Sequence, residues 1–471
     1  MERTGLGLWL RWLIIASHCR IQGTIVVMPL PQIVDLRIDA GWIIPVEPAG
    51  VLTGHALILN AGKIVALLPV EAADDAFAPH TTLDLPTHAL IPGLVNAHTH
   101  AAMTLMRGVA DDLPLKAWLD EHIWPLEARF VAPEFVYDGT LLGAAEMLRG
   151  GVTCCNDMYF YPDAAARAYE TAGMRAMLGM PVLEFPTPYA VDADACLQKG
   201  LAARDAFKHA PLLSFSLAPH APYTVSDASW EKIVMYSRQL DLPIQTHLAE
   251  TRHEVDEAVA ATGLTPLARL DRLGATGPDF IAIHAVHLES ADLALLAARH
   301  CHVVHCPSSN MKLGSGIAPV TEMLQMGINV ALGTDGAASN NRLDVLGEMR
   351  LASLLAKVAS GSPSSVPAAA ALRMATLNGA VALGLDAHTG SLEPGKQADV
   401  VAIELSGIDT SPMYDPVSHL AYAAGRECVT DVWVGGERVV TDGRLTTIDE
   451  TALLARTRAW QQQLTSISNR H

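Results

Sequence analysis

The chain has 471 residues, half of them hydrophobic and only 17% charged, with a formal net charge of −18. That much apolar surface excludes a chain that stays disordered, and the acidic excess argues against phosphate backbones and anionic membranes as partners. There are 19 histidines, and where they stand matters more than how many there are.

In chain order, the first 27 residues stand apart. MERTGLGLWLRWLIIASHCR carries an apolar run between basic residues, the outline of a secretory signal. Arg11 and Arg20 leave only eight residues between them, too few to span a bilayer, and no A-x-A-like cleavage site follows. Residues 1–27 are therefore read as an extension of doubtful order, or as sequence upstream of a start near Met28, with a signal peptide as the alternative.

Short strand-like pieces begin near residue 33. VDLRIDAGWIIPV, GHALILNAGKIVALLP and TTLDLPTHALIPG alternate or run apolar between Gly and Pro breaks. The far end answers with QADVVAIEL and DVWVGGERVVTDGRL, where Gly435 and Gly436 mark a hairpin. Neither set makes a comfortable sheet alone. Residues 28–88 and 390–450 are expected to build one composite small β-domain, and TALLARTRAWQQQL a helix within a 451–471 tail.

Between them, over 89–389, eight apolar runs recur, each followed by a helical stretch: ALIPGLVNAHTH, GVTCCNDM, RAMLGMPVLE, LLSFSLAPH, LPIQTHLAE, DFIAIHAVH, HVVHCPSSN and INVALGTDG. Continuous apolar strands alternating with helices predict a parallel sheet covered on both faces, and eight units predict a closed (β/α)8 barrel. The fold class is thus α/β. Cys154 and Cys155, adjacent on one strand, should face opposite sides. Seven cysteines without a CxxC pair read as reduced thiols, and no other segment is apolar enough to cross a membrane, so a soluble, cytoplasmic protein is expected.

Reactive groups of such barrels sit at the C-terminal ends of strands. Strand one ends in His98 and His100, strand four in His220, five in His247, six in His284, seven in His305 and eight in Asp335. Positions i and i+2 of a strand share a face, so His98 and His100 can reach one cation together, at roughly 2.0–2.1 Å each if it is zinc. A lone HxH is weak evidence. With His247 and Asp335 at other strand ends it describes a catalytic metal site with an open position for water. Glu250, where the chain leaves strand five, and His284 are the proton-handling candidates, and Asp335 could serve both roles.

Together, PGLVNAHTHAAMTLMRG, APHAPYT, THLAET, HCPSSNMKLGSGIAP, GTDGAASNN and LEPGKQADVV resemble the amidohydrolase superfamily, in its branch of aromatic deaminases and triazine hydrolases. Within it the chain is most similar to 5′-methylthioadenosine/S-adenosylhomocysteine deaminases, over about residues 33–445. The resemblance implies a distorted (β/α)8 barrel with a small β-sandwich domain built from both termini. It implies one divalent metal ion per subunit, zinc first and iron(II) second, on His98, His100, His247 and Asp335. Glu250 would pass a proton to the ring nitrogen beside the attacked carbon, while His284 and Asp335 orient the water. His220 would contact the base, Glu127 the ribose hydroxyls and Ser339 the imidazole edge of the purine. Trp118 would pack against the nucleoside.

The expected reaction is hydrolytic deamination of 5′-methylthioadenosine or adenosine to the inosine analogue and ammonia. The stretch MLGMPVLEFPTPY after strand three lacks the arginines expected where a homocysteine tail is held, which disfavours S-adenosylhomocysteine. The resemblance also implies a mononuclear site, since binuclear members of the superfamily carry a carboxylated lysine at a barrel strand end and strand four here ends LAPHAPY, with no lysine nearby. Partners reduce to a small nucleoside, without nucleic acid or membrane, and with a homo-oligomer left open. Deamination of guanine, isoguanine or cytosine, or triazine hydrolysis, is the alternative on the same scaffold. A barrel that only binds a metal or ligand would lack a ligand or a proton donor. HEVDE is not HExxH, LGSGIAP is not GxSxG, and the HxE…PCxxC and Walker signatures are absent.

Overall fold

The computed structural model describes residues 30–468, together with the backbone pairing of Arg20–Ile21 with Thr24–Ile25. Apart from that pairing, the expectations for residues 1–27 lie outside the described residues.

The eight apolar runs form eight parallel strands, hydrogen-bonded in sequence order. They are β1 (Leu94–Thr99), β2 (Val152–Met158), β3 (Arg175–Val182), β4 (Leu213–Pro219), β5 (Ile244–Leu248), β6 (Phe280–His284), β7 (His302–His305) and β8 (Asn329–Leu332). Most positions on them are buried on both faces, which is why the sequence reads as continuous runs and not as alternation. Cys154 packs with Val95, Met177 and Ile281, while Cys155 belongs to a separate cluster, as opposite faces of one strand require.

No ladder joins β8 to β1 among the described residues. The barrel is drawn shut by side chains and by the backbone just beyond β8. The Asp335 amide donates to the His98 carbonyl at 3.0 Å, and the Thr334 amide to Asn96 Oδ1 at 2.9 Å. Asn96 Nδ2 returns a bond to Thr334 Oγ1 at 2.8 Å. Gly333 makes this approach feasible, since a Cβ there would lie 2.9 Å from both Cβ and the amide nitrogen of His98.

The second sheet also has eight strands, in the order Lys63–Pro69, His55–Asn60, Gln32–Ile43, Phe77–Pro92, Val400–Glu404, Val429–Val434, Glu437–Thr441 and Arg444–Leu445. The two ends of the chain meet where Val400–Glu404 pairs antiparallel with Phe77–Pro92. The sheet curls, so that Ile38, Leu57 and Ile64 pack with Val400, Ala402 and Trp433. Gly435 and Gly436, both at positive φ, turn the C-terminal hairpin as their dipeptide suggested. The closing helix runs over Glu450–Ser468. Among the described residues no helix is long and apolar enough to cross a membrane.

One buried ion pair ties the sheet to the base of the barrel. Arg175, opening β3, donates twice to the Asp399 carboxylate, at 3.0 and 3.1 Å. Asp399 also accepts from Thr389 Oγ1 at 3.2 Å and from the Gly435 amide at 2.7 Å. Removing one partner of a buried pair leaves the other charge uncompensated, at a cost of about 3–5 kcal/mol. Asp399→Ala is therefore expected to lower the thermal unfolding midpoint markedly in scanning fluorimetry, and an unchanged midpoint would show that the pair does not hold the two units together.

Candidate metal centre and active site

The barrel mouth gathers polar groups from four strands. His98 is the last residue but one of β1 and His100 lies one residue beyond the strand; His247 comes from β5, His284 ends β6, and Asp335 follows β8. His98 and His100 place their Nε2 atoms 3.4 and 3.2 Å from Asp335 Oδ1. His247 Nε2 lies 3.3 Å from His98 Nε2.

Hydrogen bonds behind these groups decide what they present. The Nδ1 of His100 donates to the Met158 carbonyl at 2.5 Å, and that of His247 to the His220 carbonyl at 2.8 Å. A carbonyl can only accept, so in each neutral ring the proton sits on Nδ1 and Nε2 offers a lone pair. The hydroxyls of Ser309 and Ser339 both donate to Asp335 Oδ2 at 2.6 Å, which turns Oδ1 toward the imidazoles. Lone pairs and a carboxylate oxygen thus converge where few protons are available. Such a cluster fits a cation, and the mix of imidazole nitrogen and carboxylate oxygen fits zinc.

The charge balance agrees. Burial alone would raise the Asp335 carboxyl, but hydrogen bonds from His100 and His98 hold it well below its ordinary value. Burial pushes His98 down to about 4 and holds His247 well below its ordinary value. For His100 burial opposes the charge, yet Asp335 prevails and raises it to about 9.

Ligand atoms of His98, His247, His284 and Asp335 all lie within 4.8 Å of one another. His284 belongs to that group by distance, but its surroundings give it other work. Its Nδ1 meets Asn310 Oδ1 at 2.8 Å, and its Nε2 lies 3.7 Å from Glu250 Oε2. His100, closer to Asp335 Oδ1 than His98 is, completes the convergent set.

The backbone is bent to achieve this. Ala249, His284, Ala285 and Asp335 have φ of +49°, +70°, +49° and +61°. Left-handed non-glycine residues cost about 1–3 kcal/mol each and gather where function demands them. All four lie at or just past the C-terminal ends of β5, β6 and β8.

Above the cluster opens a cleft lined by apolar and aromatic side chains with a few convergent polar groups, the makeup of a small-molecule site. Glu127, His220, Glu250 and Trp118 line it, as do Tyr159 and Tyr223. Burial pushes the Glu127 carboxyl up to about 7, against a 2.7 Å hydrogen bond donated by the Tyr159 hydroxyl. Burial also raises Glu250 above the usual carboxylate range, opposed by His284, and lowers His220 to about 4. Trp118 begins a π-helical stretch, Trp118–Ile123, and its buried Nε1 has no hydrogen-bond partner. Such stretches often mark functional positions.

The residues singled out at strand ends are thus brought to one mouth, His98 in the cluster but not on the cleft lining, with the exception of His305. His305 is fully buried and does not line the cleft. Ser339 does not line it either, because its hydroxyl is engaged by Asp335 from behind. Sequence reading passed over Ser309, Asn310, Tyr159 and Glu254. The first two stand in HCPSSN, whose polar residues follow β7 directly. Thr251-x-x-Glu254 is a capping-box pattern, a signal that was present in the sequence.

Residues 89–439 match the amidohydrolase family. A 5-methylthioadenosine/S-adenosylhomocysteine deaminase of Teredinibacter turnerae is 44% identical over 432 residues, 92% of this chain and 98% of that relative. A 5′-deoxyadenosine deaminase of Methanothermobacter thermautotrophicus is 43% identical over 88% of this chain and 96% of its own. The crystal structure of an adenosine deaminase from Xanthomonas campestris with bound zinc superposes with a TM-score of 0.91 at 48% identity, covering 93% of this chain and all of that one.

The convergent lone pairs make a direct prediction about metal content. Asp335→Ala and His247→Ala, purified without chelator, should each carry only a small fraction of the parent's zinc by plasma emission spectroscopy. Full occupancy in either variant would remove that residue from the ligand set.

Proposed function

The chain belongs to the amidohydrolase family, and we propose that within it the protein deaminates adenosine-type nucleosides hydrolytically. Water replaces the exocyclic amino group at C6, giving the inosine analogue and ammonia. The observation that carries this reading is the pairing, in one cleft, of a proton-handling carboxylate beside the cluster with a second buried carboxylate, Glu127. A free base or a triazine has no ribose diol to occupy Glu127.

In this reading His98, His100, His247 and Asp335 hold one divalent cation, zinc first and iron(II) second. When bound, such a cation supplies Lewis acidity and lowers the pKa of water from 15.7 toward roughly 7. Glu250 starts ionised, takes a proton from water and delivers it to the ring nitrogen beside C6. Burial raises its carboxyl above the ordinary value, which favours a group that must both accept and release a proton. His284, held through Nδ1 by Asn310, turns Nε2 toward Glu250 and shares in the proton handling. Asp335 orients the attacking water. His220 contacts the base, Glu127 accepts from the ribose hydroxyls, and Trp118 packs on the nucleoside. Ser339 acts on the purine only through Asp335.

The far part of the cleft supports a choice among nucleosides. Among the described residues no Lys or Arg lines it, whereas Leu115, Leu119, Trp124 and Leu183 do. An apolar or small 5′ group fits such a wall, and a carboxylate or phosphate finds no counter-charge. The −18 net charge points the same way and away from nucleic acid. The six cysteines among the described residues are free thiols, in keeping with a reducing, cytoplasmic setting.

In an ultraviolet assay following adenine-to-hypoxanthine conversion, methylthioadenosine and adenosine should be turned over efficiently. S-adenosylhomocysteine should be poorer and adenosine monophosphate poorest; a preference for the phosphate would overturn the reading of the cleft. Glu250→Gln should keep its zinc while kcat falls by on the order of 10²–10⁴. Retained turnover would strip Glu250 of its role.

A further inference from the structure

Glu254 sits on the first turn of the helix Arg252–Thr262 and is buried. In an ordinary capping box its carboxylate would accept the amide of the cap residue, Thr251. Here it reaches further back. Oε1 accepts the Ala249 amide and Oε2 the Glu250 amide, both at 2.9 Å. Among the described residues no Lys or Arg pairs with this carboxylate, and the groups that face it include Glu250 and His284. A buried acid with no cation, beside a like charge, is an expensive arrangement for a helix start that Thr251 already caps through the Glu254 amide.

What the clamp holds is the strained turn at the end of β5. Ala249 has φ of +49°, and its carbonyl accepts from the amides of Val286 and His287 at 3.1 and 2.9 Å. The peptide between Ala249 and Glu250 is thereby fixed on both sides, and its direction sets where the Glu250 side chain enters the cleft. We infer that Glu254 is a positioning residue for Glu250: its two carboxylate oxygens lock the left-handed Ala249 turn that aims the Glu250 carboxylate at the reacting base. This inference rests on the role given to Glu250 above.

The test compares Glu254→Asp, which keeps the charge on the helix but loses the reach, with Glu254→Gln, which keeps the length but puts a donor against one of the amides. The parent and Glu250→Gln serve as controls in the zinc-loaded full chain. Both Glu254 variants should lose kcat by on the order of 10- to 100-fold, as for a misplaced catalytic group. KM for methylthioadenosine and bound zinc should stay near parental values. Adding Ala249→Gly to Glu254→Asp should return several-fold of the lost kcat, because glycine adopts the left-handed turn without the clamp. Parental kcat in Glu254→Asp, loss of zinc in step with kcat, or no recovery with Ala249→Gly would each overturn the inference. Should Glu254→Gln not fold, Glu254→Asp and its double variant decide the matter. If Glu250→Gln retains turnover, the role of Glu250 itself falls; if it loses turnover while Glu254→Asp does not, only the positioning role falls.

Discussion

The structure turns on a single crowded point at the barrel mouth, where imidazole lone pairs and one carboxylate oxygen are aimed at each other. Such a convergence is repulsive unless a positive charge occupies it. Everything around it works to prevent the groups from turning away. The carbonyls of Met158 and His220 fix two imidazoles, and Ser309 and Ser339 saturate the outer oxygen of Asp335. The closure of the barrel serves the same end. Where β8 and β1 lack a ladder, the Asp335 amide bonds the His98 carbonyl, so the contact that shuts the barrel also sets two groups of the cluster side by side. Pre-organisation of this kind moves the cost of bringing like groups together into folding, where a whole barrel's burial can offset it.

Three buried carboxylates share the mouth and differ only in their surroundings. Asp335 is ringed by imidazoles and stays ionised. Glu250 has one imidazole at 3.7 Å and a serine hydroxyl at 3.3 Å, and its pKa rises. Glu127 has one phenol donor and rises to about 7. Environments that push the pKa values of like groups apart let one site draw different protonation behaviour from the same functional group. Burial alone would have raised all three, and the donors and imidazoles around each oppose it to different extents.

The barrel was legible because two-sided burial leaves apolar runs that end abruptly in polar residues. A histidine after four or five apolar positions is visible in a bare sequence, and so is the i, i+2 spacing of His98 and His100. The composite sheet was legible as two incomplete sets of strands. Sequence patterns could not show contacts made by residues from distant segments. Ser339 reads as a small polar residue near Asp335, and only the fold shows its hydroxyl facing the carboxylate from behind. His305 carries the same strand-end pattern as His284 and His247, yet it is buried away from the cleft. Glu254 sits in a capping pattern, but the local rule names Thr251 as its partner, and the strained turn two residues earlier takes the carboxylate instead.

That last displacement follows a wider pattern in this barrel. Where β5, β6 and β8 end, the chain swings to positive φ: at Ala249 just past β5, at His284 and Ala285 across the end of β6, and at Asp335 three residues past β8. None is glycine, although glycine would adopt these angles without strain. At His284 and Asp335 the side chain is itself needed, so the strain cannot be relieved by substitution. At Ala249 it could be, and alanine stands there with a buried acid bonded to its amide. The turn's geometry is therefore set by its hydrogen-bonded neighbours, the Glu254 carboxylate on one side and the amides of Val286 and His287 on the other, and not by the preference of the residue that makes it.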